Sequence, residues 1–248
     1  MKVFGKFVQG SNNDVYRTEA YIDLNPFHIN NTYQLPVNNG QLNKNIIGTI
    51  FMFNPGGSKP KNKNTNNFGS GNYVELEKDA TMKTIIELLC NSDYECGLIE
   101  IKNLFNLREP DSENLNYVNL IGEIQQQQQQ QTNNPPPSHN ITLYPKFQGN
   151  FVFFAWSLSL LGNLLKEANT QNPSATNAVN KYFQNIIKSA FDQEKKICYV
   201  TKETTSQRAE QYGHFYHPRW ITNEVQKEAM KDALCKQLKV QWVKYTKL

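Results

Sequence analysis

A chain of 248 residues with 26 Lys plus Arg against 22 Asp plus Glu, net +4, is long enough to bury the core of one large α/β domain. The mild positive balance suits an anionic ligand, but no basic run or arginine stripe marks a nucleic-acid-binding face. Cys90, Cys96, Cys198 and Cys235 are scattered without a Cys-x-x-Cys pair or a Cys/His cluster, which points to reduced thiols and no metal centre.

Residues 1–45 alternate short apolar pieces with Asn-rich turns. They include Val15-Tyr16-Arg17-Thr18-Glu19-Ala20-Tyr21-Ile22 and read as a β-rich N-terminal segment, a hairpin being the simplest form. The start of the chain lacks the apolar stretch of a secretory signal. The longest apolar stretch, Phe151 to Leu165, is interrupted by Ser157, Ser159, Gly162 and Asn163 and is too short to span a membrane. An intracellular protein, cytoplasmic or nuclear and without membrane attachment, is expected.

The most informative segment is Ile46-Ile47-Gly48-Thr49-Ile50-Phe51-Met52-Phe53, which breaks into Asn54-Pro55-Gly56-Gly57-Ser58. Such an apolar, β-branched and aromatic run suits a strand covered on both faces, as in a parallel sheet. Pro55 ends the ladder and holds Asn54 extended, while Gly56 and Gly57 permit positive φ and close approach of a ligand. Open parallel sheets bind ligands just beyond the carboxyl ends of their strands. An ordinary strand and bend would show the same residues. Lys59, Lys61 and Lys63 follow in a polar loop, where they could meet phosphates or simply be solvated.

Met82, Ile85, Ile86 and Leu89 share one face of a helix capped by Asp79 or Thr81. A second strand, Gly97 to Ile101, then completes a strand–helix–strand crossover. Gln125 to Gln131 and the following Asn- and Pro-rich residues read as a low-complexity insert at 125–140, a mobile linker or surface loop. A third strand is expected over Asn150 to Trp156, with helices from Leu158 to Ala168 and from Asn177 to Phe191. A fourth strand follows over Lys196 to Val200, and a last helix starts near Thr222.

Three segments carry candidate chemistry. Asn54-Pro55-Gly56 follows the first strand, Asn103-Leu104-Phe105-Asn106-Leu107-Arg108 the second, and His217-Pro218-Arg219 comes after the fourth. Parallel strands would bring these to one edge and line a common cleft. Asn54 could orient a water or read an amide-like edge, and His217 could shuttle a proton or stabilise a developing anion. Asn103 could hydrogen-bond a ligand, Phe105 stack on a base and Arg108 pair with phosphate. The structural alternatives are a strand cap, a core ring and a solvated cation. Tyr216 belongs to an aromatic cluster around His217 that suits either a stacking wall or a core patch. There is no Walker loop, Gly-x-Gly-x-x-Gly fingerprint or Gly-x-Ser-x-Gly elbow, so no cofactor is expected.

Phe53-Asn54-Pro55-Gly56, Asp79-Ala80-Thr81, Asn103-Leu104-Phe105 with Arg108, Ala155-Trp156 and Tyr216-His217-Pro218 stand in that order between residues 46 and 221. This succession resembles a bacterial and phage family, domain-of-unknown-function family sixteen forty-three (DUF1643-like). Gly56 and Ala80 depart from that family's Ser and Pro, and the Gln-rich insert is foreign to it. A more distant likeness is to the uracil-DNA glycosylase superfamily. That resemblance implies that Asn54 orients the hydrolytic water and His217 stabilises the departing base, with Arg219 standing where the superfamily has Ser.

The expected architecture is therefore a single α/β domain, a three-layer α/β/α sandwich with a mostly parallel sheet of the uracil-DNA glycosylase kind. Its cleft would take a nucleobase, nucleotide or nucleic acid, with hydrolysis of an N-glycosidic bond as the enzymatic form. A non-catalytic nucleotide- or nucleic-acid-binding regulatory module is the alternative, and an interaction protein working through the Gln tract is a third.

Overall fold

The computed structural model describes residues 1–10, 14–24, 37–38, 41–42, 46–61, 72–90, 97–109, 114–129, 140–156 and 158–199. In chain order these form β1 (Lys2–Gln9), β2 (Val15–Asp23), β3 (Val37–Asn38), β4 (Gln41–Leu42), β5 (Ile46–Met52), β6 (Tyr73–Glu75) and α1 (Ala80–Cys90). They continue with β7 (Leu98–Asn103), α2 (Tyr117–Gln129), β8 (Phe151–Phe154), α3 (Leu158–Gln171), α4 (Pro173–Asp192) and β9 (Lys196–Tyr199).

One seven-stranded sheet has the order β6-β1-β2-β7-β5-β8-β9, and β3 pairs separately with β4. The expected mostly parallel sheet is instead mixed. β7, β5, β8 and β9 run parallel to one another, whereas β6, β1 and β2 join through antiparallel pairings that include β2 against β7. The difference arises at the N-terminus. β1 and β2 do form a hairpin, and it pairs directly with β7 in the main sheet.

The apolar run after Asn45 forms the inner strand β5, paired on both sides, and its side chains alternate between two cores. Phe51 and Phe53 enter the larger one, with Val152, Phe154 and Trp156 and with apolar faces of α2, α3 and α4. Ile50 and Met52 enter the second, where Met82 and Ile85 of α1 meet Phe7, Ala20, Ile22, Ile99 and Ile101. Each fully buried Phe or Ile contributes about 1.5–3 kcal/mol.

Asp79 caps α1, its Oδ1 accepting from the Met82 backbone N–H at 2.8 Å. The helix α4 starts earlier than expected. Asn172 is its cap, accepting from the Ala175 N–H at 2.8 Å, and Pro173 occupies the first turn, where a missing N–H costs nothing. The described part of the expected low-complexity insert also differs from a loop, and residues 130–139 lie outside the described residues. Gln125 to Gln129 belong to α2, and Gln128 donates to the Ala178 carbonyl on α4 at 2.9 Å. Leu120, Ile121 and Ile124 bury the helix face that holds these glutamines helical. The expected helix near Thr222 lies outside the described residues.

Candidate functional site

β5 and β7 are parallel neighbours, so the segments leaving them start side by side, and the ladder continues one step beyond both strands. The Leu104 N–H donates to the Met52 carbonyl at 2.8 Å and the Phe105 N–H to the Phe53 carbonyl at 2.9 Å. Because β2 is antiparallel to β7, its beginning reaches the same edge. The Arg17 N–H donates to the Asn106 carbonyl and the Arg108 N–H to the Val15 carbonyl, at 2.9 and 2.8 Å.

The Asn54-to-Ser58 turn leads across this edge towards β6, where residues 59–61 pair with 75–77 through Glu77 N–H to Lys59 O and Lys61 N–H to Glu75 O. Gly56 has φ +57° and no atom near the position a Cβ would take. Its role is therefore backbone conformation rather than packing. Ser58 is buried and lies at the centre of the turn's contacts. Its hydroxyl donates to the Pro55 carbonyl at 2.8 Å and accepts from Arg17 Nη1 at 2.7 Å. Its carbonyl accepts from Arg108 Nε at 2.6 Å, and the Gly57 carbonyl accepts from Arg108 Nη2 at 3.4 Å.

Of the residues expected to line a cleft, Asn54, Pro55, Gly56, Gly57, Asn103 and Arg108 are all at this edge. Asn54 is half-buried, and its Nδ2 donates to the Glu109 carbonyl at 3.1 Å. Asn103 is buried, and its Oδ1 accepts from Arg17 Nη2 at 3.1 Å, so it serves the arginine below the turn. The Phe105 ring is elsewhere. It is fully buried, with ring centroids 5.2 Å from Phe53 and 6.1 Å from Tyr182, and belongs to the core rather than to a base-stacking surface. Tyr216, His217 and Arg219 lie outside the described residues. Lys61 pairs with Glu75 at 2.9 Å, and Lys59 is exposed.

Arg17 and Ser58 are the members that sequence reasoning missed. Strand β2 carries a register shift opposite Lys6 and Phe7, pairing Glu19 with Lys6 but Arg17 with Phe7. Unbroken alternation would set Arg17 on the same face as Glu19 and Tyr21. The bulge turns it to the face of Phe7 and Ala20, beneath the Asn54 turn. The sequence carried little signal, because β2 holds Glu19 and Asp23 as well as Arg17 and the arginine is not its only charge.

Arg17 is 1% exposed, and among the described residues its Nε has no hydrogen-bond partner. Burial brings its guanidinium down to about 10, opposed by the charge of Asp79. Among the described residues no carboxylate lies within ion-pairing distance of it. Burial also lowers Arg108, against the opposing charge of Glu109. The edge therefore holds one buried and one partly buried cation joined through one serine, an arrangement that favours negative charge nearby.

Asn140 closes the lower side of this edge. Its carbonyl and Oδ1 accept from the N–H groups of Asn106 and Leu107 at 2.9 and 3.0 Å, while its Nδ2 donates to both Glu123 oxygens at 3.2 and 3.1 Å. Burial raises the Glu123 carboxyl against the effect of that amide, and Asp14 raises it further. Among the described residues, no group of His, Cys, Asp and Glu is arranged to hold a metal ion, and no helix is long and apolar enough to cross a membrane. Comparison with protein-family models, curated proteins and solved structures returns no match to this chain.

Proposed function

We propose that this edge recognises a nucleobase or nucleotide, free or within a nucleic acid. The observation that carries the reading is the union of the two strand-end segments through Ser58, which sets Asn54, Gly56, Gly57 and Arg108 around one turn. Amide and guanidinium groups are suited to base edges and phosphates, and a rigid glycine turn allows a ligand close to the backbone. Helices packed on both sheet faces support the finer reading of a three-layer α/β/α frame; the uracil-DNA glycosylase kind of that frame rests on the sequence resemblance alone.

Hydrolysis of an N-glycosidic bond is the enzymatic form of this proposal. Asn54 favours it, because the backbone contact of its Nδ2 orients the amide and directs Oδ1 to the role of acceptor for a water. His217 would stabilise the departing base. A regulatory module that binds without turnover uses the same residues.

The test is equilibrium binding of nucleosides, nucleotides and short oligonucleotides to the full chain, followed by measurement of free base released. Binding that weakens at least about tenfold in Asn54→Ala supports the site. Release lost in both Asn54→Ala and His217→Ala supports catalysis, and binding without release supports the module. A chain that binds none of these probes refutes the proposal.

A further inference from the structure

Arg17 is the feature that ligand recognition by Asn54 and Arg108 leaves unexplained. A buried guanidinium ordinarily has a carboxylate against it, because desolvating an unpaired charge is expensive. Here both engaged nitrogens meet neutral oxygens, Ser58 Oγ and Asn103 Oδ1, and the third has no partner among the described residues. Among the described residues, the carboxylate in electrostatic range, Asp79, is exposed and already caps α1. A cation held only by neutral partners leaves a positive field under the turn, and that field is weakly screened because Ser58 is 4% exposed.

We propose that the edge site takes a phosphate-bearing ligand, whose oxyanion supplies the counter-charge that Arg17 lacks. The inference rests on the nucleotide reading above and narrows it: the preferred ligand carries a phosphate, and a free base or nucleoside is the weaker partner. Arg17 acts as a positioning residue and a fixed charge. The oxyanion meets the half-exposed groups of the turn, Gly56, Gly57 and the Arg108 side chain, with Arg17 behind them. Strand β2 carries a bulge at this point, so the cation is brought under the turn by a specific local irregularity.

The experiment measures thermal stabilisation and affinity of the full chain with pyrophosphate, with nucleoside 5′-monophosphates and with the matching nucleosides. Nucleotides should bind at least about tenfold more tightly than nucleosides, and pyrophosphate alone should raise Tm, both effects shrinking as salt rises. Arg17→Gln keeps an amide donor without the charge and should lose most of the phosphate-dependent increment. Arg17→Lys keeps the charge without the planar fork and should retain part of it, which a merely structural arginine would not produce.

Equal affinity for nucleosides and nucleotides overturns this inference while leaving base recognition standing. Equal phosphate increments in wild type and Arg17→Gln also overturn it. Should Arg17→Gln not fold, the wild-type comparison decides: a phosphate preference that falls with salt supports the inference, and its absence refutes it. Binding of pyrophosphate with no nucleotide or nucleoside preference supports the oxyanion site and removes the nucleotide reading.

Discussion

Replacing Ser58 by alanine should be costly out of proportion to the one oxygen removed. The hydroxyl has a single proton, which goes to the Pro55 carbonyl at 2.8 Å, and its lone pair receives Arg17 Nη1 at 2.7 Å. Both bonds are buried. A bond to a charged donor contributes about 1.5–3 kcal/mol and a neutral one about 1, so Ser58→Ala should lose about 2–4 kcal/mol. For a chain of this size the change corresponds to a fall in Tm of roughly 4–16 °C. Urea denaturation should show a lower midpoint with an unchanged slope. The two contributions separate in a double-mutant cycle with Arg17→Met, where the coupling should be about 1.5–3 kcal/mol. A loss below about 1 kcal/mol, or coupling near zero, would show that Arg17 does not depend on Ser58 and would remove the physical link between β2 and the Asn54 turn.

Three further substitutions test other parts of the frame. Gly149 has φ +69°, and a Cβ there would collide with backbone atoms of Ile47 and Gly48, so Gly149→Ala should cost about 2–5 kcal/mol; a midpoint equal to wild type in urea would contradict the placement of that turn. The buried Tyr182 hydroxyl donates to the Leu104 carbonyl at 2.7 Å, just past β7, and Tyr182→Phe should lose about 1–2 kcal/mol by the same assay, whereas no loss would mean that the carbonyl has another donor. Partial burial raises the Glu75 carboxyl, but hydrogen bonds from Lys61 and Lys2 outweigh it and hold the group below its ordinary 4.5. A lowered acid stabilises the fold above its unfolded value and loses that contribution as pH falls through the folded one. Glu75→Gln should therefore flatten the stability profile below about pH 4.5 and leave its shape at neutral pH unchanged; an identical acid limb in both proteins would refute the assignment.

The elements most legible in the sequence were those in which local pattern and tertiary role agree. β5 is a continuous apolar run and became an inner strand, α1 has a clear apolar face with Asp79 as its cap, and Asn54, Asn103 and Arg108 follow adjacent parallel strands to one edge. The Gln tract misled because composition was weighed without its neighbours. Leu120, Ile121 and Ile124 anchor a helix that runs on into glutamine, a residue with good helix propensity, and Gln128 then finds an acceptor on α4. Phe105 misled for the opposite reason. It stands between two polar residues of a plausible site, Asn103 and Arg108, but it pairs across a bridge with Ile141 and turns its ring into the aromatic core.

Arg17 was hidden by register rather than by composition. Period-two alternation carries a side chain to the wrong face wherever a strand bulges, and β2 bulges between Glu19 and Arg17. No count of apolar positions in β2 reveals that shift, because the partner strand that creates it is β1, and the groups that receive the arginine come from residues 58 and 103. A site assembled from three distant segments is visible to sequence reasoning only in those members that also carry a local signature. Asn54 has one in its proline–glycine turn, and Arg17, one of three charged residues in β2, has none. Such a charge, buried on neutral partners, ties the proposed ligand's negative charge to the fold itself: without an anion the edge retains an electrostatic cost, and with one the same arginine favours binding.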